Sequence, residues 1–75
     1  MPKLPVIKPK DIEKALIKKD FTPRQTKSSH VVFTHKDGRR TVVSIHNRAI
    51  NKGTLRAILR QTKISVEELI YWLRK

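Results

Sequence analysis

Apolar residues follow a helical spacing at both ends of this chain and a strand-like alternation between them. Ile12, Ala15 and Leu16 stand at i, i+3 and i+4 behind Pro9, a residue suited to the first position of a helix. Asp11 and Glu13 fall in the first turns, where the helix dipole favours anions. A helix is predicted from about Pro9 to Lys19, preceded by an extended lead-in over residues 1–8. Asp20-Phe21-Thr22-Pro23 ends it. A short strand over 22–27 follows and belongs at an edge, because Pro23 has no N–H for a central ladder. "SHVVFTH" and "TVVSIH" then flank Asp37-Gly38, a strong hairpin signal, so paired strands are expected over 29–35 and 40–46. Either Val31 and Phe33, or His30 and Val32, face the core. After a loop over 47–50, Asn51 is an N-cap for a helix over 52–62 that gathers Leu55, Ile58, Leu59 and Thr62 on one face. Ser65 and Glu68 form an S-x-x-E capping box, and Val66, Leu69, Ile70 and Leu73 carry a last helix over about 66–74. Helices at both ends of an antiparallel sheet predict an α+β fold with the helices on one face. With no repeat or low-complexity tract, residues 1–75 read as one domain.

Charge adds a partner class to this outline. Eighteen Lys and Arg face six Asp and Glu, a formal net charge of +12. A core this small cannot hide them, so the surface field attracts polyanions, nucleic acid first. An acidic protein or an anionic membrane suits the same field. Lys10, Lys14 and Lys18 make a basic row opposite the apolar stripe of the first helix. The absence of cysteine excludes disulfides and thiolate metal sites. No run is long enough for a signal peptide or a membrane span, so a cytoplasmic protein is expected, with no membrane role.

The candidate chemistry lies in the histidines. His30 and His35 are five apart on one expected strand and so point to opposite faces. An Asp37-Gly38 two-residue turn sets His30 opposite Ile45, and a three-residue loop sets it opposite His46. Even that pair falls short of the roughly three or four protein ligands of a zinc site. The carboxylates Asp11, Glu13, Asp20, Asp37, Glu67 and Glu68 are scattered, so no metal site and no cofactor are expected. His35 adjoins the turn and reads as a solvated structural residue. His46, at a strand end, suits a structural or a direct role. His30 has different neighbours: Arg24, Lys27, Ser28 and Ser29, all with donors for phosphate oxygens. Arg39 and Arg40 at the hairpin tip are weaker candidates of the same kind. An imidazole exchanges protons near neutral pH. RNA strand cleavage needs a proton taken from the attacking 2′-hydroxyl, another given to the departing 5′-oxygen, and cations on the phosphoryl oxygens. A basic loop beside a histidine also suits RNA binding without cleavage, and a basic adaptor for an acidic protein is a third class.

Five segments in order resemble the HicA family of toxins, small mRNA interferases of toxin–antitoxin pairs. They are Asp20-Phe21, Ser28-Ser29-His30, Asp37-Gly38-Arg39, Ser44-Ile45-His46 and "GTLRAILRQTKIS" from Gly53 to Ser65. They answer to that family's Gly-Phe pair, G-S-H tripeptide, D-G-R turn, P-x-H strand end and G-T-L-R-x-I-L-R helix start. Asp20 and Ser28 stand where the family has glycine, and Ser44 where it has proline. The resemblance implies a fold like the double-stranded-RNA-binding domain, α-β-β-β-α. It implies His30 as the catalytic histidine, mRNA as substrate, and a HicB-type antitoxin as partner covering the site.

Overall fold

The computed structural model of the protein describes residues 4–27 and 29–74. Helix α1 (Pro9–Lys18) leads into strands β1 (Thr22–Gln25), β2 (His30–Thr34) and β3 (Arg40–Ser44), followed by helices α2 (Lys52–Thr62) and α3 (Val66–Leu73). The strands form one antiparallel sheet in the order β1-β2-β3. The α+β order expected from the sequence is therefore found, with each boundary within two residues of its predicted place.

Each helix end has a local cause. Asp11 Oδ2 accepts the Lys8 N–H at 3.1 Å at the start of α1. At its end Phe21 N–H reaches the Leu16 carbonyl and Asp20 N–H the Ile17 carbonyl, each at 3.0 Å. This is a Schellman stop, with Asp20 in the left-handed region at φ 70. That conformation costs a non-glycine residue about 1–2 kcal/mol, which is the physical reason for a glycine in the family pattern at this place. Asn51 Oδ1 accepts the Gly53 N–H at 2.8 Å to open α2. The expected capping box opens α3: Ser65 Oγ accepts the Glu68 N–H at 3.0 Å, and Glu68 Oε1 accepts the Ser65 N–H at 3.3 Å.

The register of the β2–β3 hairpin differs from both alternatives read from the sequence. His30 pairs with Ser44, Val31 with Val43, Val32 with Val42 and Phe33 with Thr41. The turn begins one residue earlier than expected. Gly38 N–H bonds the His35 carbonyl and His35 N–H the Arg39 carbonyl, each at 2.9 Å. A two-residue type I′ turn would hold both Asp37 and Gly38 at positive φ, whereas only Gly38, at φ 100, adopts it. Asp37 keeps a negative φ while its side chain binds ahead: Oδ1 takes the Arg39 N–H at 3.0 Å and Oδ2 the Arg39 Nε at 2.8 Å. The loop is thus a type I turn closed by a glycine bulge.

Alternation along the strands decides which face is buried. Val31, Phe33, Thr41 and Val43 are buried, and Val31, Phe33 and Val43 join Ile12, Leu16, Leu55, Ile58 and Leu69 of the helices in one core cluster. The even positions His30, Thr34, Arg40, Val42 and Ser44 are exposed, so the three helices cover one face and leave the other open.

Two carboxylates tie this frame to pH. The Arg39 backbone N–H holds the Asp37 carboxyl below its ordinary value of 3.8, against desolvation and with help from the Arg39 guanidinium and His35. The Lys19 ammonium, 2.8 Å away, holds Glu68 below its ordinary 4.5, again against desolvation and with help from Ser65. A carboxyl whose pKa falls on folding stabilises the fold above its unfolded value and loses that contribution as pH drops through the lower folded value. Melting temperature is therefore expected to be level above about pH 5 and to fall through pH 4 and below. Asp37→Asn with Glu68→Gln should flatten that slope. An equally steep fall in the double variant would place the acid sensitivity elsewhere.

Candidate active site

The open face is a grid set by the register. One row holds Thr26, His30 and Ser44; the next holds Arg24, Val32 and Val42; the third holds Thr22, Thr34 and Arg40. Neighbours across it are about 4.7–4.9 Å apart strand to strand. His30 begins the central strand and is exposed. Its backbone is held firmly: its N–H bonds the Lys27 carbonyl at 2.8 Å and its carbonyl takes the Thr26 N–H at 3.1 Å. The loop before it is tied to the far strand by the Ile45 N–H on the Ser29 carbonyl at 2.7 Å. Among the described residues, no protein group bonds the imidazole of His30. A rigid backbone with a free, solvated ring is what a proton-transfer group needs.

Beside this ring lies a shallow groove of about 660 Å³, lined by Arg24, Gln25, Thr26, Lys27, Val32, Thr34 and Arg40. Arg24, Lys27 and Arg40, three of the cations singled out in the sequence, converge there from β1, the following turn and β3. His30 is at the end of the groove and not in its wall. Ser29 is exposed next to His30, while Ser28 lies outside the described residues. Gln25, Thr26 and Thr34 were missed as groove residues. The alternation that places Arg24 outward would have flagged Thr26 and Thr34, once β1 was known to pair with β2.

Two groups of candidates do not join the site. Arg39 is committed within the fold. Its guanidinium bonds Asp37 Oδ2 and the Thr62 carbonyl and sits 5.2 Å from the centre of the Phe21 ring. It pins the hairpin to the ends of α1 and α2. Lys10, Lys14 and Lys18 are exposed on the side of α1 away from Ile12, Ala15 and Leu16. Because α1 packs behind the sheet, that row faces away from His30.

The other histidines separate as well. His35 is not solvated as expected: its side chain is 12 % exposed and packs edge-on to Phe21, with ring centres 5.1 Å apart. Its Nδ1 is 3.2 Å from the Asp37 N–H and 3.0 Å from Asp37 Oδ1. A bare Nδ1 accepts the first, and an Nδ1 that carries hydrogen donates to the second. His46 is exposed past the end of β3, and its Nδ1 accepts the Arg48 N–H at 3.1 Å. Among the described residues no three His, Cys, Asp or Glu side chains lie together as a metal site requires. Phe33 is fully buried, so the open face has no aromatic platform for stacked bases. No helix among the described residues is long and apolar enough to cross a membrane.

A family model described as HicA toxin of bacterial toxin-antitoxin matches residues 9–64, from the start of α1 to just past α2. No curated protein matches the chain.

Proposed function

The chain belongs to the HicA toxin family of bacterial toxin–antitoxin systems, and on that premise we propose that it is a metal-independent endoribonuclease that cuts mRNA with His30 as its acid/base. The observation that carries the proposal is the placement of His30 at the head of the central strand, exposed and with no bond to its imidazole among the described residues, beside a groove walled by Arg24, Lys27 and Arg40.

In the proposed step the groove cations hold the RNA phosphates, with Ser28 and Ser29 as further hydroxyl donors. The His30 imidazole takes the proton of the 2′-hydroxyl as that oxygen bonds to phosphorus. The bond from phosphorus to the 5′-oxygen breaks, and the imidazolium returns the proton to the leaving oxygen. The products are a 2′,3′-cyclic phosphate and a 5′-hydroxyl. Lys27 and Arg24 offset the charge that grows on the phosphoryl oxygens, a term usually large in such reactions. Arg39 and the lysine row of α1 have no part in this step. The substrate places the protein in the cytoplasm, and its antitoxin would act by closing the open face.

The test is a purified transcript incubated with the chain in excess EDTA. Cleavage with cyclic-phosphate ends is expected. RNA that stays intact while binding steeply with falling salt would leave a non-catalytic RNA-binding module instead. Cutting that the chelator abolishes would remove the metal-independent step.

A further inference from the structure

The two edges of the sheet are treated differently. Thr26 N–H bonds the His30 carbonyl, so the even residues of β1 face β2 with their backbone groups. Pro23 and Gln25 then direct theirs to the outer edge, and Pro23 has no N–H to offer there. That edge is blunted. On β3, the bonds of Arg39 and Ile45 to β2 put the odd residues on the paired side. The backbone groups of Arg40, Val42 and Ser44 therefore point away from the sheet, in a row with no proline and, among the described residues, no partner.

That row opens into a groove between β3 and α2. Two cavities of about 350 and 300 Å³ share Val42, Thr54 and Ile58 and run the length of the strand. Arg40 stands at one end and Arg48 at the other. Val42, in the middle, is 45 % exposed. From Gly38 to Val66 the chain has no Asp or Glu.

We propose that the free edge of β3 is a docking strand, and that an extended acidic segment of the antitoxin adds to it as a fourth strand between β3 and α2. Outward N–H and C=O groups supply ladder bonds to an incoming strand, and flanking pockets read its alternate side chains. The arginines at the two ends select an acidic segment. A second copy of this chain fits less well, since two surfaces of +12 repel. The proposal rests on family membership, which supplies an antitoxin, and not on the chemistry assigned to His30.

The test compares amide hydrogen exchange in the free chain and in its purified complex with the antitoxin that neutralises it. Exchange at Arg40, Val42 and Ser44 is expected to slow by roughly tenfold or more in the complex. Val42→Pro removes the central outward N–H without breaking a bond to β2, as Pro23 does on the other edge. Thr54→Trp fills the shared part of the groove from an exposed helix position and leaves the strand untouched. Both should weaken antitoxin binding by about tenfold or more. Thr54→Trp should cut RNA at the wild-type rate, which keeps this outcome separate from any failure at His30. If Val42→Pro fails to fold, Thr54→Trp decides. Unchanged exchange in the complex, wild-type binding by Thr54→Trp, or protection of the same amides in a dimer of the chain alone would each overturn the proposal.

Discussion

His30→Ala is expected to stay folded and to keep binding RNA, while its rate of strand cleavage falls by about 10²–10⁴-fold. The fold should not notice, because the ring is exposed and no protein group among the described residues bonds it. The backbone bonds to Lys27 and Thr26 remain available to alanine. Binding should survive because Arg24, Lys27 and Arg40 remain in the groove. The measurement is single-turnover cleavage of a labelled transcript, with affinity and melting temperature followed in parallel. A loss of cutting together with a loss of binding would make His30 a docking residue. A variant that cuts like the wild type would move the proton transfer elsewhere, with His46, the other exposed imidazole, next in line. In cells the same variant should relieve growth inhibition.

Periodicity carried most of the architecture. The α1 stripe, the N-cap Asn51 and the Ser65–Glu68 box are local signals, and each appears where the sequence placed it, because helices start and stop on contacts within a few residues. The hairpin register turned on a local contact that the turn residues alone do not encode. Asp37-Gly38 reads as a two-residue turn, yet the Asp37 carboxylate has a better use in binding Arg39, and this moves the turn by one residue. The same contact withdraws Arg39 from the candidate site. Its other partners, Phe21 and Thr62, lie far off in sequence, so no spacing rule could have revealed them. The lysine row was legible as a row but not as a direction. Its position depends on which face of the sheet the helices cover, and strand alternation left both choices open. Arg24, Lys27 and Arg40 were legible as candidates, while their convergence needed the pairing of β1 with β2.

Phe33→Ala should remove a large share of the protein's stability. Phe33 is fully buried at the centre of the middle strand, in the same cluster as Ile12, Leu16 and Leu69. Truncating such a ring costs about 3–5 kcal/mol. A chain of 75 residues has a total stability on the order of 4–11 kcal/mol. Melting temperature should fall by more than about 12 °C if a transition can still be measured. Val32→Ala, one residue away on the half-exposed side, should cost less than about 1 kcal/mol. The contrast tests the site as much as the core. A slip of one residue in pairing exchanges the two faces of a strand. If Val32→Ala were the damaging change and Phe33→Ala the mild one, His30 would face the helices, away from the groove that holds Arg24, Lys27 and Arg40. No substrate phosphate bound there could then reach its imidazole.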